Sequence, residues 1–176
     1  MPFVRVKRIS GKEYAYFVEN TWQPQGSRQK VLQYLGKVFR PQPRANDAPE
    51  LALGLAFKDA VLALAAWELR NHGFAPAGGE SRFVHAEQQH SAEPERFTFL
   101  DAKGHPLTIA MNEGFLCETT LKQLLEFTPK ENRESTMKML ASAILEAGLK
   151  VSPETFAELF EKVQVEKPSD VAVPLH

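Results

Sequence analysis

Residues 5–37, RVKRISGKEYAYFVENTWQPQGSRQKVLQYLGK, decide how this chain is read, because they are basic, aromatic and written in short alternating runs. Phe3, Val4, Val6 and Ile9 interleave with Arg5, Lys7 and Arg8 at a period near two, the side-chain period of a β-strand. Gly11-Lys12 interrupts that run. A second run, EYAYFVENTW (residues 13–22), puts Tyr14, Tyr16 and Val18 on one face and Ala15, Phe17 and Glu19 on the other. Turn residues follow in QPQGS (23–27), after which RQKVLQYLG (28–36) reads as a third strand, or as one turn of helix ended by Gly36, with the strand preferred. An antiparallel β-hairpin or three-stranded module is therefore expected at the amino terminus.

Charge sets this module apart from the rest of the 176-residue chain. Nine Lys and Arg against two acidic residues over Met1–Arg44 leave +7, and the remaining residues carry −8. Such polarity suits a nucleic-acid face at one end, or two halves that attract each other. Cys117 is the one cysteine, which excludes an intrachain disulfide and a four-thiolate zinc site, and fits a reducing, cytoplasmic setting. MPFVRVKRIS has charges where a signal peptide needs an apolar run. No membrane partner is expected either. Leu51–Leu69 is apolar, but Lys58 and Asp59 at its centre would each cost about 2.5–3.5 kcal/mol in a bilayer, so a buried helix is the expectation.

Working outward, PQPRANDAP (41–49) has the composition of a linker, and Asn46 or Asp47 is placed to cap a central helix carrying Leu51, Leu55, Val61, Leu62, Ala65, Trp67 and Leu69. Asn71-His72-Gly73 ends it. RFVHAE (82–87), RFTFLD (96–101) and, across the turn Asp101–Gly104, HPLTIAMN (105–112) predict a second small antiparallel sheet. Thr119 or Thr120 is positioned to cap a short helix with Leu121, Leu124 and Leu125 inward. Thr128–Glu131 has capping-box spacing ahead of Met137, Leu140, Ala141, Ile144 and Leu145, and Ser152-Pro153-Glu154 starts a last helix with Phe156, Leu159, Phe160 and Val163 on one stripe. The tail from Glu166 reads as frayed.

Lys7, Gly11, Lys12, Tyr14, Tyr16, Val18, Glu19, Arg28, Gln29, Lys30, Tyr34, Leu35 and Gly36 form a pattern: a basic strand, Gly-Lys, an aromatic strand, a variable turn, then a basic residue, Gln, Lys and Tyr-Leu-Gly. This pattern resembles the leader module ahead of the catalytic domain in a group of insertion-sequence transposases, also found at the start of small microbial, especially archaeal, proteins. The resemblance covers about a fifth of the chain. It implies an accessory module that touches nucleic acid and carries over no catalytic residue. The transposase catalytic domain is a ribonuclease-H-like sheet with three metal-binding carboxylates, and the chain that remains here is too short and too helical to match it.

Residue chemistry gives the candidates. Lys and Arg bind phosphates while Tyr and Trp stack on unpaired bases, so Arg5, Lys7, Lys12, Arg28 and Lys30 with Tyr14, Tyr16 and Trp22 are the expected nucleic-acid contacts. The same aromatic and β-branched residues also suit any strand, and one face has to form a core. Arg5 and Lys7 share a face in a regular pleat, and Arg8 opposes them. HAEQQH (85–90) offers His85, Glu87 and His90 as a metal set. The order His-Ala-Glu begins the zinc deaminase signature, but the Pro-Cys-x-x-Cys half is missing. Asp101 reads as a turn residue and Cys117 as a buried structural cysteine, although its place before a helix could favour a thiolate. Nothing in the sequence marks a cofactor or a catalytic residue.

The expected architecture is α+β, with a basic β module (1–44) and an α+β helical body (45–176) built as one unit. The expected function is a small non-catalytic protein that binds DNA or RNA through the basic module. A protein-interaction adaptor or homodimeric scaffold is the alternative, and a metal-dependent hydrolase on the His/Glu cluster a further one.

Overall fold

A computed structural model of the chain describes residues 2–49, 54–79 and 81–165. Its first three strands are β1 (Phe3–Ile9), β2 (Lys12–Gln23) and β3 (Gly26–Phe39), joined as two antiparallel hairpins. Ser10 and Gly11 take φ of 50° and 77°, the positive pair that a two-residue type I′ turn requires and that matches the right-handed twist of the strands it joins. Pro24 and Gln25 close the second hairpin between Gln23 and Gly26. The register shifts twice along β2 and β3, between Ala15 and Tyr16 and between Phe17 and Val18, so β3 carries extra residues and bends.

That bend delivers the end of β3 to the body. Lys37, Val38 and Phe39 pair in parallel with Leu107, Thr108 and Ile109 of β8 (Leu107–Met111), which turns back into β9 (Gly114–Leu116). One five-stranded sheet results, in the order β1-β2-β3-β8-β9. HPLTIAMN therefore does not belong to the second sheet as its spacing suggested. Five consecutive buried residues make β8 a strand covered on both faces, which requires an interior place in a sheet. Across the Asp101–Gly104 turn, one bridge between Leu100 and Pro106 is all that remains of the expected pairing. The second sheet is antiparallel and made of β4 (Phe74–Pro76), β5 (Phe83–His85), β6 (Ser91–Glu93) and β7 (Thr98–Leu100).

The helix α1 (Phe57–Asn71) sits in the main core with Val61, Leu64 and Leu69 against Phe74, Phe83, Ile109, Leu121 and Leu140. It starts later than the apolar run, and its cap is Ala56, without a side-chain hydrogen bond, in place of Asn46 or Asp47. Gly54 explains the delay, since its φ of +88° cannot continue a right-handed helix. Leu51 lies outside the described residues. Among those residues no helix is long and apolar enough to cross a membrane.

Capping chemistry corrects two further starts. Cys117 caps α2 (Glu118–Leu125) and Thr120 is its third residue, its hydroxyl accepting from the Cys117 amide at 3.2 Å. For α3 (Arg133–Glu146) the cap is Asn132, whose Oδ1 accepts from the amides of Glu134 and Ser135 at 2.8 and 3.1 Å, so Thr128–Glu131 precede the helix. Its buried row is Thr136, Leu140 and Ile144, at i, i+4, i+8, which leaves Met137, Ala141 and Leu145 on an exposed neighbouring row. Ser152 caps α4 (Pro153–Val165) through the Thr155 amide at 3.1 Å, and Leu159, Phe160 and Val163 are buried. The tail expected to fray, from Glu166, lies outside the described residues.

Gly36 makes the β3–β8 junction possible. Its φ is +106°, and a Cβ there would stand 2.1 Å from the carbonyl oxygen of Pro106. Gly36→Ala is expected to lower the unfolding free energy by about 2–4 kcal/mol, against about 1 kcal/mol for Gly104→Ala, which also has positive φ but opens on empty space. Urea denaturation of the two variants checks this. Equal losses would contradict the role given to the Pro106 contact.

Candidate nucleic-acid interface

Directly opposed residues of antiparallel strands point to one face of the sheet. Arg5 is opposite Tyr16, Lys7 opposite Tyr14, and Ile9 opposite Lys12; across the other side of β2, Tyr16 faces Tyr34 and Tyr14 faces Lys37. Ring geometry agrees. The Tyr34 ring lies 5.5 Å from that of Tyr16 and 6.5 Å from that of Tyr14, and the Lys7 ammonium stands 5.2 Å above Tyr16. Further up the same face Arg5 donates to Gln29 Oε1, and Gln29 Nε2 donates to Asn20 Oδ1 at 3.3 Å. Trp22 follows Asn20 by two residues and stands 87% exposed near the tip of the β2–β3 hairpin.

The opposite face is the apolar one at its base. Ala15, Phe17, Leu35 and Val38 pack there with Ala110 and Cys117, and Val4, Val6 and Phe115 cover them. Glu13 lies on this side and takes two of the cations: Arg40 Nε at 2.6 Å and Arg8 Nη2 at 3.9 Å. The Arg40 hydrogen bond holds the Glu13 carboxyl below the usual carboxylate range. Arg28 and Lys30 oppose Thr21 and Glu19, on the side away from the tyrosines.

Of the sequence candidates, the structure thus brings Arg5, Lys7, Lys12, Tyr14, Tyr16 and Trp22 to one face and leaves Arg28 and Lys30 off it. Two residues join the face that spacing alone did not assign to it. The bulge between Phe17 and Val18 turns Tyr34 onto this face, and Lys37, beyond both bulges, stays on it because the two shifts cancel in the alternation. Among the described residues Lys7, Lys12 and Lys37 form no ion pair, and Arg5 engages only the neutral Gln29. Partial burial, with Tyr16, Tyr14 and Asp101 nearby, pushes the Tyr34 phenol above its ordinary value, so the ring stays neutral at physiological pH.

His85, Glu87 and His90 do not converge. Among the described residues no three His, Cys, Asp or Glu side chains stand where one ion could bind them. His85 Nδ1 accepts from the Gln88 amide at 3.3 Å, Glu87 is exposed in the following turn, and both imidazoles pack edge-on against Phe39, with centroids at 4.9 and 4.7 Å. Desolvation lowers the His90 pKa, the direction that keeps the ring uncharged. Asp101 Oδ1 accepts from the Lys103 and His105 amides at 2.8 and 2.9 Å, which is ordinary turn chemistry.

No protein family model, curated protein or solved structure matches this chain.

Cys117 is 3% exposed, and burial pushes its thiol pKa up in spite of its place at the start of α2. Iodoacetamide at pH 8 is therefore expected to leave the native protein unlabelled and to label it fully in urea. Labelling of the folded protein at the rate of a free thiol would contradict this burial.

Proposed function

We propose that the chain binds single-stranded nucleic acid, RNA or unpaired DNA, across the β1–β2–β3 face that carries Arg5, Lys7, Lys12 and Lys37 around Tyr14, Tyr16 and Tyr34. The single observation behind this reading is the arrangement of unpaired cations around a half-open cluster of three tyrosine rings, with Tyr34 46% exposed. Cations at this spacing follow a phosphate backbone, and neutral rings offer flat surfaces to bases whatever their sequence. Trp22 extends the surface toward the hairpin tip. A duplex hides the faces of its bases, so exposed rings favour an unpaired strand. The likeness of residues 4–37 to transposase leader modules points the same way. No base-reading contact is assigned, because the cations and rings act without regard to sequence.

A second reading, an adaptor docking on an acidic protein surface, draws on the same cations together with exposed Val31 and Leu32 of β3.

Fluorescence anisotropy with labelled oligouridine and oligothymidine tests the first reading. Four phosphate contacts on a single strand predict a log K against log salt slope near about −3, or roughly a 50-fold loss between 50 and 200 mM salt. Joint Arg5→Ala, Lys7→Ala and Lys12→Ala substitution should flatten that slope by about 2. Tyr16→Ala and Tyr34→Ala should each cost about 1–3 kcal/mol of binding. Arg28→Ala with Lys30→Ala should change little. Binding that is absent, or that is lost in the Arg28/Lys30 variant and kept in the others, refutes the proposal, and a complex with an acidic protein alone selects the second reading.

A further inference from the structure

Glu68 and His72, one turn apart on α1, are 0% and 1% exposed. His72 Nδ1 lies 2.8 Å from the Glu68 carbonyl oxygen and 3.4 Å from Glu68 Oε2. A carbonyl only accepts, so Nδ1 carries a hydrogen and Nε2 is the ring nitrogen left over. Glu68 Oε1 accepts from Asn112 Nδ2 and from the Lys150 amide, both at 3.0 Å, which ties α1 to the β8–β9 turn and to the α3–α4 loop. Those bonds account for a structural role. They leave Glu68 Oε2 with the 3.4 Å approach of His72 Nδ1 but no hydrogen bond, and His72 Nε2 makes no hydrogen bond among the described residues. Native proteins rarely bury polar atoms idle, and each such case calls for a reason.

The surroundings supply one for His72 Nε2. Segment 41–49 crosses over the end of α1 as a strap, held by the Arg44 amide to Asn71 O at 2.8 Å and by paired bonds of 2.9 Å between Asn71 and Ala45. Lys150 Nζ donates to Asn46 O beside it. Beneath the strap is a cleft of about 670 Å³, large enough for a small molecule, lined in part by His72, Arg40, Lys150 and Glu113, with Leu145 and Leu149 forming an apolar wall. Lys150 brings a cation to the lining, and Arg40, paired through Nε and Nη2 with Glu13, still has Nη1 to offer as a donor.

We propose that this cleft binds a small organic anion, a carboxylate or phosphate on an apolar body. Lys150 Nζ and the free Arg40 N–H receive the acid group, and His72 Nε2 contacts it as donor when the ring is protonated or as acceptor from a ligand hydroxyl when neutral. Glu68 is a positioning residue, fixing the ring through Nδ1. Leu145 and Leu149 pack against the ligand body.

Benzoate and phenyl phosphate titrated separately into the ¹⁵N-labelled full chain provide the test, and they distinguish a carboxylate ligand from a phosphate one. Saturable shifts are expected for residues 110–113 and 145–150 with one or both probes. His72→Asn keeps a donor near the Nδ1 position and removes Nε2; His72→Gln places a polar atom near Nε2. Asn should weaken binding about tenfold or more, the weight of one charge-assisted hydrogen bond, and Gln should restore part of it. Lys150→Gln, a change at a half-buried side chain that keeps a donor for Asn46 O while removing the charge, should weaken binding by a similar factor and decides the matter if His72→Asn does not fold. No saturable shift with either probe up to about 10 mM, or unchanged affinity in the folded His72→Asn and Lys150→Gln proteins, overturns the proposal. Oligonucleotide binding should be indifferent to all three variants, so the two sites stand or fall separately.

Discussion

The structure depends on three residue pairs, Lys37–Leu107, Val38–Thr108 and Phe39–Ile109, through which β3 leaves its own hairpin and runs parallel to β8. A parallel ladder of this length is weak by itself. It is reinforced by Thr108 Oγ1 donating to Leu35 O at 2.7 Å and by Phe39, whose ring packs at 6.2 Å from Phe74 and closer, at 4.9 and 4.7 Å, to His85 and His90. Without Gly36, the Pro106 backbone could not approach, and the hairpin pair would have no rigid attachment to the core of α1, β8 and the C-terminal helices.

Attachment in this phase determines which side of the hairpins is free. The side bearing Ala15, Phe17 and Val38 closes onto Ala110 and Cys117, and Glu13 there matches Arg8 and Arg40, while Arg28 and Lys30 lie farther along toward the hairpin tip. The other side keeps its tyrosines and cations in solvent contact. Positive charge at the amino terminus is thus partitioned by the pleat: some of it is matched within the protein, and some remains for a partner.

Much of this was legible in the sequence, and what was missed has physical causes. Alternation over residues 3–22 and the apolar stripe of α4 are local signals, and each produced the element expected of it, with the turn at Ser10-Gly11 one residue before the expected Gly11-Lys12. The partner of β8 is set by pairs seventy residues apart, so the local pattern of HPLTIAMN shows a strand but points to the wrong sheet. One bulge turns Tyr34 onto the tyrosine face and a second restores the alternation for Lys37, and no count of residues along β3 locates either bulge; Arg28 and Lys30 lie off that face by plain alternation from the hairpin turn. Gly54 and Asn132 were visible but outweighed by an apolar run and a proline-containing box. For the Glu68–His72 pair the signal is a carboxylate in the Ala- and Leu-rich second half of the helix, four residues before a histidine read as a helix end.

The central claim is that one face of β1–β3, and not the module's charge as a whole, contacts a nucleic-acid strand. Side-chain NMR resolves the two faces directly. On addition of a 12-nucleotide oligouridine, perturbations are expected in the rings of Tyr14, Tyr16, Tyr34 and Trp22 and in the Arg5, Lys7 and Lys37 side-chain resonances, with Arg28 and Lys30 unmoved. Perturbation concentrated on Arg28 and Lys30, or none at saturating oligonucleotide, would contradict it.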